Sequence, residues 1–319
     1  MANLSITNVC NRSCPYCFAN DSKTELGKTF MEDNVYEAAL NYLSRSAIKQ
    51  VRLLGGEPTL HPGFIKMVTK ALERDFTISL FTNGLMPENV LRFLENAPEG
   101  KLSILLNTIH PSEGDRIGID RQRDVMLRLG RVIILGINIC SSSQKMEYLI
   151  DYVRKYNLKK EIRLGIAHTV MSKANTSLHP KEYQKTGYAI FKLKQEAARE
   201  GISIGFDCGF VPCMFPEEYY NLLSEELKNA GTCCHPVIDL LADGSFIACY
   251  PLNNLLKIKL NDQIDSKKLS GRFEEVLRPY NETGIYPHCS SCPLFKTRCN
   301  GGCMSFRIQR YTRMYDRRN

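Results

Sequence analysis

Cys10, Cys14 and Cys17 stand in a CxxxCxxC spacing close to the start of the chain. Three thiolates can hold three irons of a 4Fe-4S cluster and leave the fourth iron for an exchangeable ligand. That arrangement is reactive, whereas a fully ligated cluster mainly stores electrons or structure. The alternatives are a disulfide loop and a zinc loop. A disulfide framework fits poorly, since no export signal precedes the motif and thirteen cysteines is an odd number. Zinc usually takes two CxxC or Cys/His pairs, and this stretch has one.

Further along, the apolar run Val51 to Leu54 leads into Gly55-Gly56-Glu57-Pro58. Glycines at a strand end let backbone approach a ligand and offer free N–H and C=O groups. Glu57 adds a negative charge, so the stretch suits a ligand carrying an ammonium group. Alone it is also an ordinary turn. Phe81-Thr82-Asn83-Gly84 ends another apolar run, where Thr82 and Asn83 can bond a sugar or a carboxylate, although Asn-Gly is also a common turn. Asn107 and Asn138 lie near the ends of two more runs. Arg163 can grip a carboxylate bidentately or form a salt bridge in the wall. Cys140 is either a hydrogen-atom donor or a small buried residue.

These residues need a scaffold that brings strand ends together. Short apolar segments near 3–8, 50–55, 77–82, 102–107, 132–139 and 162–168 read as strands. Helical segments fall between and after them, near 31–45, 62–74, 87–96, 117–130, 145–156 and 181–200. This alternation implies an α/β chain with a parallel sheet and crossover helices. Six units are too few for an eight-stranded barrel and suit a partial (β/α)6 barrel, with chemistry at the carboxyl ends of its strands.

Beyond about residue 205 the periodicity fades and cysteines gather: Cys208, Cys213, Cys233, Cys234, Cys249, Cys289, Cys292, Cys299 and Cys303, with His235. A small region stapled by metal follows from this composition, giving two domains, 1–205 and 206–319. Hydrophobic content of 43% with 24% charged residues is that of a globular chain, and no apolar run is long enough to span a bilayer. Many cysteines without an export signal place the chain in a reducing cytoplasm. The formal charge of +8 counts thiols as neutral. Cluster thiolates would cancel about half of it, so neither nucleic acid nor a membrane is expected as partner.

Taken together, CxxxCxxC, GGEP at Gly55 to Pro58 and TNG at Thr82 to Gly84 resemble the radical S-adenosylmethionine (SAM) superfamily. The resemblance implies a SAM-binding 4Fe-4S cluster on Cys10, Cys14 and Cys17, and reductive cleavage of SAM to a 5′-deoxyadenosyl radical that abstracts hydrogen. It also assigns SAM contacts to Tyr16, Phe18, Gly55, Gly56, Glu57, Thr82, Asn83, Asn107, Asn138 and Arg163. A flavodoxin- or ferredoxin-type protein would donate the electron.

The tail, Cys234-x9-Gly244-x4-Cys249 and Cys289-x2-Cys292-x6-Cys299-x3-Cys303, resembles the SPASM extension of these enzymes. A zinc ribbon on the last four cysteines is the alternative. The resemblance implies two auxiliary 4Fe-4S clusters, one on Cys234, Cys249 and Cys303 and one on Cys289, Cys292 and Cys299. The spacing from Cys292 to Cys299 is one residue longer than in the family, and no cysteine follows Cys303. The second cluster therefore lacks an obvious fourth ligand, which Asp316, water or substrate would supply, and the first takes a further ligand from Cys213, Cys233 or Cys208, with Cys213 preferred because adjacent Cys233 and Cys234 would strain one cluster.

SPASM enzymes include peptide maturases, sulfatase-maturating enzymes, and dehydrogenases or epimerases of aminoglycosides and related sugars. The expected reaction is oxidative modification or cross-linking of a peptide, with a sugar-type small molecule as the alternative substrate. An iron-sulfur electron carrier without SAM chemistry is the third reading. Nine residues precede Cys10, so any leader recognition would come from a separate protein.

Overall fold

The alternation of apolar segments becomes one sheet. This computed structural model describes residues 2–19, 27–108, 110–112, 114–171, 175–220 and 238–316. Strands β1 (Ala2–Thr7), β2 (Gln50–Gly55), β3 (Thr77–Thr82), β4 (Leu102–Asn107), β5 (Ile133–Ile139) and β6 (Glu161–Ile166) lie side by side, all parallel. Helices α1 (Asp33–Arg45), α2 (Phe64–Glu73), α3 (Glu88–Glu95), α4 (Arg116–Leu129), α5 (Tyr148–Lys155) and α6 (Tyr183–Arg199) alternate with them. The six expected strands and helices fall within a few residues of the sequence-based positions. A short seventh parallel strand, β7 (Ser203–Phe206), pairs with β6 at one edge.

Successive side chains of a strand point to opposite faces. Val51, Leu53, Ile78 and Leu80 are buried with the helices in the main apolar core, while the intervening Arg52, Leu54, Ser79 and Phe81 are only partly covered on the other face. That face is the one that polar strand residues can use.

The tail extends the same sheet. Strand β8 (Ile238–Leu240) runs parallel to β1, and β9 (Ser245–Ile247) and β10 (Ile258–Lys259) continue it antiparallel, giving the order β10-β9-β8-β1-β2-β3-β4-β5-β6-β7. Helices α7 (Ser266–Leu277) and α8 (Met304–Asp316) follow, and Phe246, Leu269, Phe273 and Met304 join the main core. On the seam, Asn3 of β1 donates to Asp239 of β8 at 2.8 Å. Burial pushes the Asp239 carboxyl up to about 7.

Candidate active site

β1 delivers the first cysteine loop. Past its end, Thr7 Oγ1 accepts from Val9 N at 3.0 Å and donates to Thr29 O at 2.8 Å, which turns the chain toward Cys10. Cys17 N donates to Cys14 O at 3.0 Å and closes a turn. Cys10, Cys14 and Cys17 are partly exposed. Two donors face Cys10 Sγ, Arg12 N at 3.4 Å and Asn83 Nδ2 at 3.7 Å. Hydrogen bonds to sulfur favour its thiolate form, the form that binds metal.

The two glycines of GGEP have a structural reason of their own. The chain leaving β1 crosses directly over them: Gly56 N donates to Thr7 O at 2.8 Å, and Glu57 N to Val9 O at 2.7 Å. A Cβ on Gly55 would stand 2.1 Å from Thr7 O, and one on Gly56 2.2 Å from Val9 O. Gly55 also has φ +146°, in the region that favours glycine. The glycines thus let the cysteine loop sit on the end of β2.

The Glu57 side chain faces donors of the protein itself. It is fully buried. Oε1 accepts from Thr59 N at 3.2 Å, Thr59 Oγ1 at 2.6 Å and Thr82 Oγ1 at 2.8 Å, and Oε2 accepts from Asn83 N at 2.7 Å. Burial pushes its carboxyl up, and these donors oppose the rise. Its charge ties the end of β2 to the end of β3. Asn83 completes the clasp, donating from Nδ2 to Asn11 Oδ1 at 2.9 Å, while Asn11 Nδ2 donates to Leu85 O at 2.7 Å.

One residue of this clasp was missed from sequence. Gln122 of α4 is buried and donates to the carbonyls of Asn83 at 2.7 Å and Asn107 at 3.1 Å, linking the ends of β3 and β4. The available signal was a polar residue within the buried stripe Gly118, Gln122, Val125, Met126, Leu129.

Asn107, Gly136, Arg163 and Gly205 are in register across β4 to β7. Gly136 and Gly165 each make room for the asparagine paired with them. A Cβ on Gly136 would stand 2.9 Å from Asn107 Oδ1, and one on Gly165 would stand 2.9 Å from Asn138 Oδ1. Arg163 forms the salt-bridge alternative, pairing with Asp207 just past β7, with its guanidinium 5.9 Å from the Phe81 ring centre.

Tyr16 bonds Cys14 through its hydroxyl. Burial first, and then Cys14, push that hydroxyl well above the ordinary range, so it stays protonated and donates to the sulfur. Cys140, at the end of β5, is also a neighbour of Tyr16. Its thiol faces Gln144 Oε1 at 3.5 Å, and its backbone N donates to the same oxygen at 2.9 Å. Phe18 packs on Tyr250 of the tail with ring centres 4.9 Å apart, and Tyr250 bonds Ser5 of β1.

In the tail, Cys289 and Cys303 are buried, Cys249, Cys292 and Cys299 are partly exposed, and Cys213 is exposed. Cys234, with Cys233 and His235, lies outside the described residues, as does the side chain of Asp316. From sequence, Cys213 is preferred over Cys208 and Cys233 as the further ligand beside Cys234, Cys249 and Cys303. The thiols acting most on it are instead Cys299, Cys289 and Cys292. Although Cys213 is exposed as a residue, desolvation by surrounding protein first and then these neighbours push its thiol up to about 12, and burial pushes Cys303 up to about 11.

Among the described residues, no three His, Cys, Asp or Glu side chains gather closely enough to hold a single metal ion. A structural zinc draws all its ligands to about 2.0–2.3 Å from one point. A cubane spreads its thiolates over its corners. Donors beside Cys10 Sγ and Cys299 Sγ suit thiolates that bind a metal group.

Residues 4–144 match the sequence profile described as the Radical SAM superfamily. The cofactors of that superfamily are a 4Fe-4S cluster and SAM. Among curated proteins, the chain is 27% identical over 164 residues to a probable GTP 3′,8-cyclase of Methanococcus maripaludis strain C5, covering 48% of this chain and 54% of that protein. It is 31% identical over 137 residues to the GTP 3′,8-cyclase of Pasteurella multocida strain Pm70, covering 42% and 41%. The chain thus spans about half the length of the curated relatives it matches.

Two solved structures share the fold along nearly the whole chain. One is anSMEcpe with bound AdoMet and Cp18Cys peptide, with TM-score 0.67, 20% identity, and coverage of 99% of this chain and 95% of that one. The other is Streptococcus suis SuiB bound to the precursor peptide SuiA, with TM-score 0.67, 15% identity, and coverage of 97% and 72%. The radical SAM fold with a cysteine-rich extension, expected from the motifs, is therefore the fold observed. Among the described residues, no helix is long and apolar enough to cross a membrane.

Proposed function

We propose that this radical SAM enzyme carries out oxidative modification or cross-linking of a peptide, using auxiliary iron-sulfur clusters in its tail. The observation that carries the radical chemistry is the Cys10 to Cys17 loop, clasped by the ends of β2 and β3 at the carboxyl edge of the sheet. When bound, the cluster and SAM supply a 5′-deoxyadenosyl radical able to take hydrogen from an unactivated carbon.

The chain's own residues do the rest. Cys10, Cys14 and Cys17 hold the cluster, and Arg12 N, Asn83 Nδ2 and the Tyr16 hydroxyl stabilise its thiolates. Glu57, Asn83 and Gln122 hold three strand ends together, so that a bound substrate meets a rigid site. Asn107, Asn138 and Arg163 present polar groups for SAM on the open face. Cys140 stands beside Tyr16, placed to return a hydrogen atom where the product requires one.

A peptide substrate is supported by the chain-long likeness to two structures solved with peptides bound. An electron donor of the flavodoxin or ferredoxin type and a separate leader-binding protein would complete the system in a reducing cytoplasm. The names of the curated relatives support a second reading, a purine nucleotide substrate, over the 48% of the chain that aligns.

Anaerobically reconstituted protein, given SAM and a reductant, should form 5′-deoxyadenosine. Mass spectrometry after incubation with candidate peptides encoded nearby, and separately with GTP, separates the two substrates. Loss of a pair of hydrogens from a peptide supports the first reading, and conversion of GTP alone overturns it. Absence of 5′-deoxyadenosine under all conditions removes the radical reading and leaves an electron carrier.

A further inference from the structure

The chain between Cys14 and Cys17 has a second support, away from the clasp made by β2 and β3. Pro15 O accepts from Thr176 N at 3.0 Å, and Tyr16 O accepts from Asn175 Nδ2 at 3.4 Å. Both donors belong to the loop that leaves β6, described at 167–171 and 175–178. β1 and β6 stand at opposite ends of the six-strand run, so these bonds string the cysteine loop across the mouth of the curved sheet. Asn175 also ties its own loop together. Its Oδ1 accepts from Val170 N at 3.0 Å and its Nδ2 donates to His168 O at 2.9 Å, while Leu178 N donates to Ala167 O at 3.0 Å at the base. One amide supplies both the acceptor and the donors that this junction needs, which neither a carboxylate nor an apolar side chain can do.

The tail holds the other side of the same loop. Ser305 Oγ donates to Thr169 O at 2.6 Å, and Gln309 Nε2 donates to Thr169 Oγ1 at 3.1 Å and to Val170 O at 3.3 Å. Ser305 and Gln309 are four residues apart on α8 and therefore share one face of the helix. Met171 N donates to Pro251 O at 3.2 Å, which brings in the turn Tyr250–Leu252. α8 is itself fixed by other residues, since Arg307 Nε donates to Thr283 O at 2.7 Å and Arg310 Nη1 to Gly284 O at 2.7 Å. A continuous chain of hydrogen bonds thus runs from Gln309 through Val170 and Asn175 to Tyr16. Such a chain couples its two ends only if cutting one end shifts the other, which is open to measurement.

We infer that Asn175 is a positioning residue for the first cysteine loop, set in turn by Ser305 and Gln309 of α8, so that a change in the tail alters how Cys14 and Cys17 are presented. The Cys10 side of the loop is fixed separately, by Asn83 and the clasp at the ends of β2 and β3. The loop is therefore held at one side by the sheet and at the other by a brace that answers to the tail. The consequence for SAM binding rests on the reading that these thiols hold the SAM-binding cluster, whereas the brace itself is a property of the metal-free chain.

Backbone hydrogen exchange of the metal-free full chain reads the brace directly. In Asn175→Ala, and in Ser305→Ala/Gln309→Met, peptides covering 10–18 should exchange about fivefold faster, the worth of one net hydrogen bond, while those covering 55–60 keep the parent rate. Asn175→Asp keeps the acceptor for Val170 N and loses the donor to Tyr16 O, so it gives the same reading where the Ala variant folds poorly. In anaerobically reconstituted protein of equal iron content, SAM binding is titrated through the change SAM makes in the electron paramagnetic resonance of the reduced protein. Its dissociation constant should rise by about the same factor in all three variants. Parent rates at 10–18 in both Asn175 variants overturn the brace, and so does faster exchange spread evenly over the chain. Parent rates there in Ser305→Ala/Gln309→Met overturn the link to α8. Faster exchange at 10–18 in a protein that never binds SAM supports the brace and strikes the cluster reading instead.

Discussion

The two cysteine regions are built differently. The Cys10 to Cys17 loop sits in a frame made by the polypeptide: Thr7 and Val9 bond to Gly56 and Glu57, Glu57 bonds to Thr82 and Asn83, and Asn83 reaches back to Asn11 and Cys10. The tail cysteines ride on short elements, the turns Pro212–Met214, Tyr250–Leu252 and Pro287–Ser291 and strands of two or three residues. Elements of that length have little stability of their own. The first loop is therefore held by hydrogen bonds of the polypeptide, whereas on the proposed reading the second would depend on its metal and on the sheet it leans against.

The most severe way to break this contrast is to remove the first ligand set. Cys10→Ala/Cys14→Ala/Cys17→Ala should lower 5′-deoxyadenosine formation by at least roughly a thousandfold, about 4 kcal/mol in barrier. Thermal stability should hardly change, because the frame remains. A matching collapse in melting temperature would show that the loop needs its metal as much as the tail does.

The seam between the regions responds to pH. Asp239 is 4% exposed and its carboxyl rises from 3.8 to about 7 on folding. Between those values the folded state holds a proton that the unfolded state has lost, so this group's contribution to stability falls as pH rises, with the full cost above about 7. Asp239→Asn should therefore be level with the parent near pH 4 and more stable by on the order of 4 kcal/mol near pH 8. Denaturant unfolding at several pH values checks this. A gain that does not grow with pH would remove the burial argument.

Glu57→Gln sharpens the contrast at the frame itself. One end of the amide must face a donor where the carboxylate accepted, costing about 3 kcal/mol of stability. The SAM dissociation constant of the folded variant should change less than stability does. Weaker SAM binding with unchanged stability would return the carboxylate to the ligand. The smallest effect expected is at Arg163 and Asp207, where a double-mutant cycle should give a coupling of about 1 kcal/mol in stability. A coupling near zero, with weaker SAM binding in Arg163→Gln alone, would favour the carboxylate role.

Local pattern revealed what depends on local pattern. β1 to β6 and their helices were legible because apolar residues alternate within each strand and recur at helical spacing. β8, β9 and β10 were not, since two or three residues carry no periodicity and the Asn3 to Asp239 pairing joins positions 236 apart. The same distance effect explains the site. Cys10, Gly55 and Asn83 were readable as motifs, but the crossing from β1 over Gly55 and Gly56, and the donors to Glu57 from Thr59, Thr82 and Asn83, come from residues distant in sequence or from side-chain placement. Gln122 needed the helix stripe to be seen in place. Cys213 was visible as a thiol, and only the fold shows its neighbours.

β1 lies between β2 and β8, although β8 begins at residue 238. On the ribosome the strand carrying the catalytic loop gains one neighbour early and waits for the other until most of the chain has been made. At about 5–20 residues per second, that wait is on the order of ten seconds or more. Through it, one row of β1 backbone groups stays open to pairing with other chains. A fragment ending after β7 would keep that open edge permanently, so the barrel is poorly suited to being expressed alone.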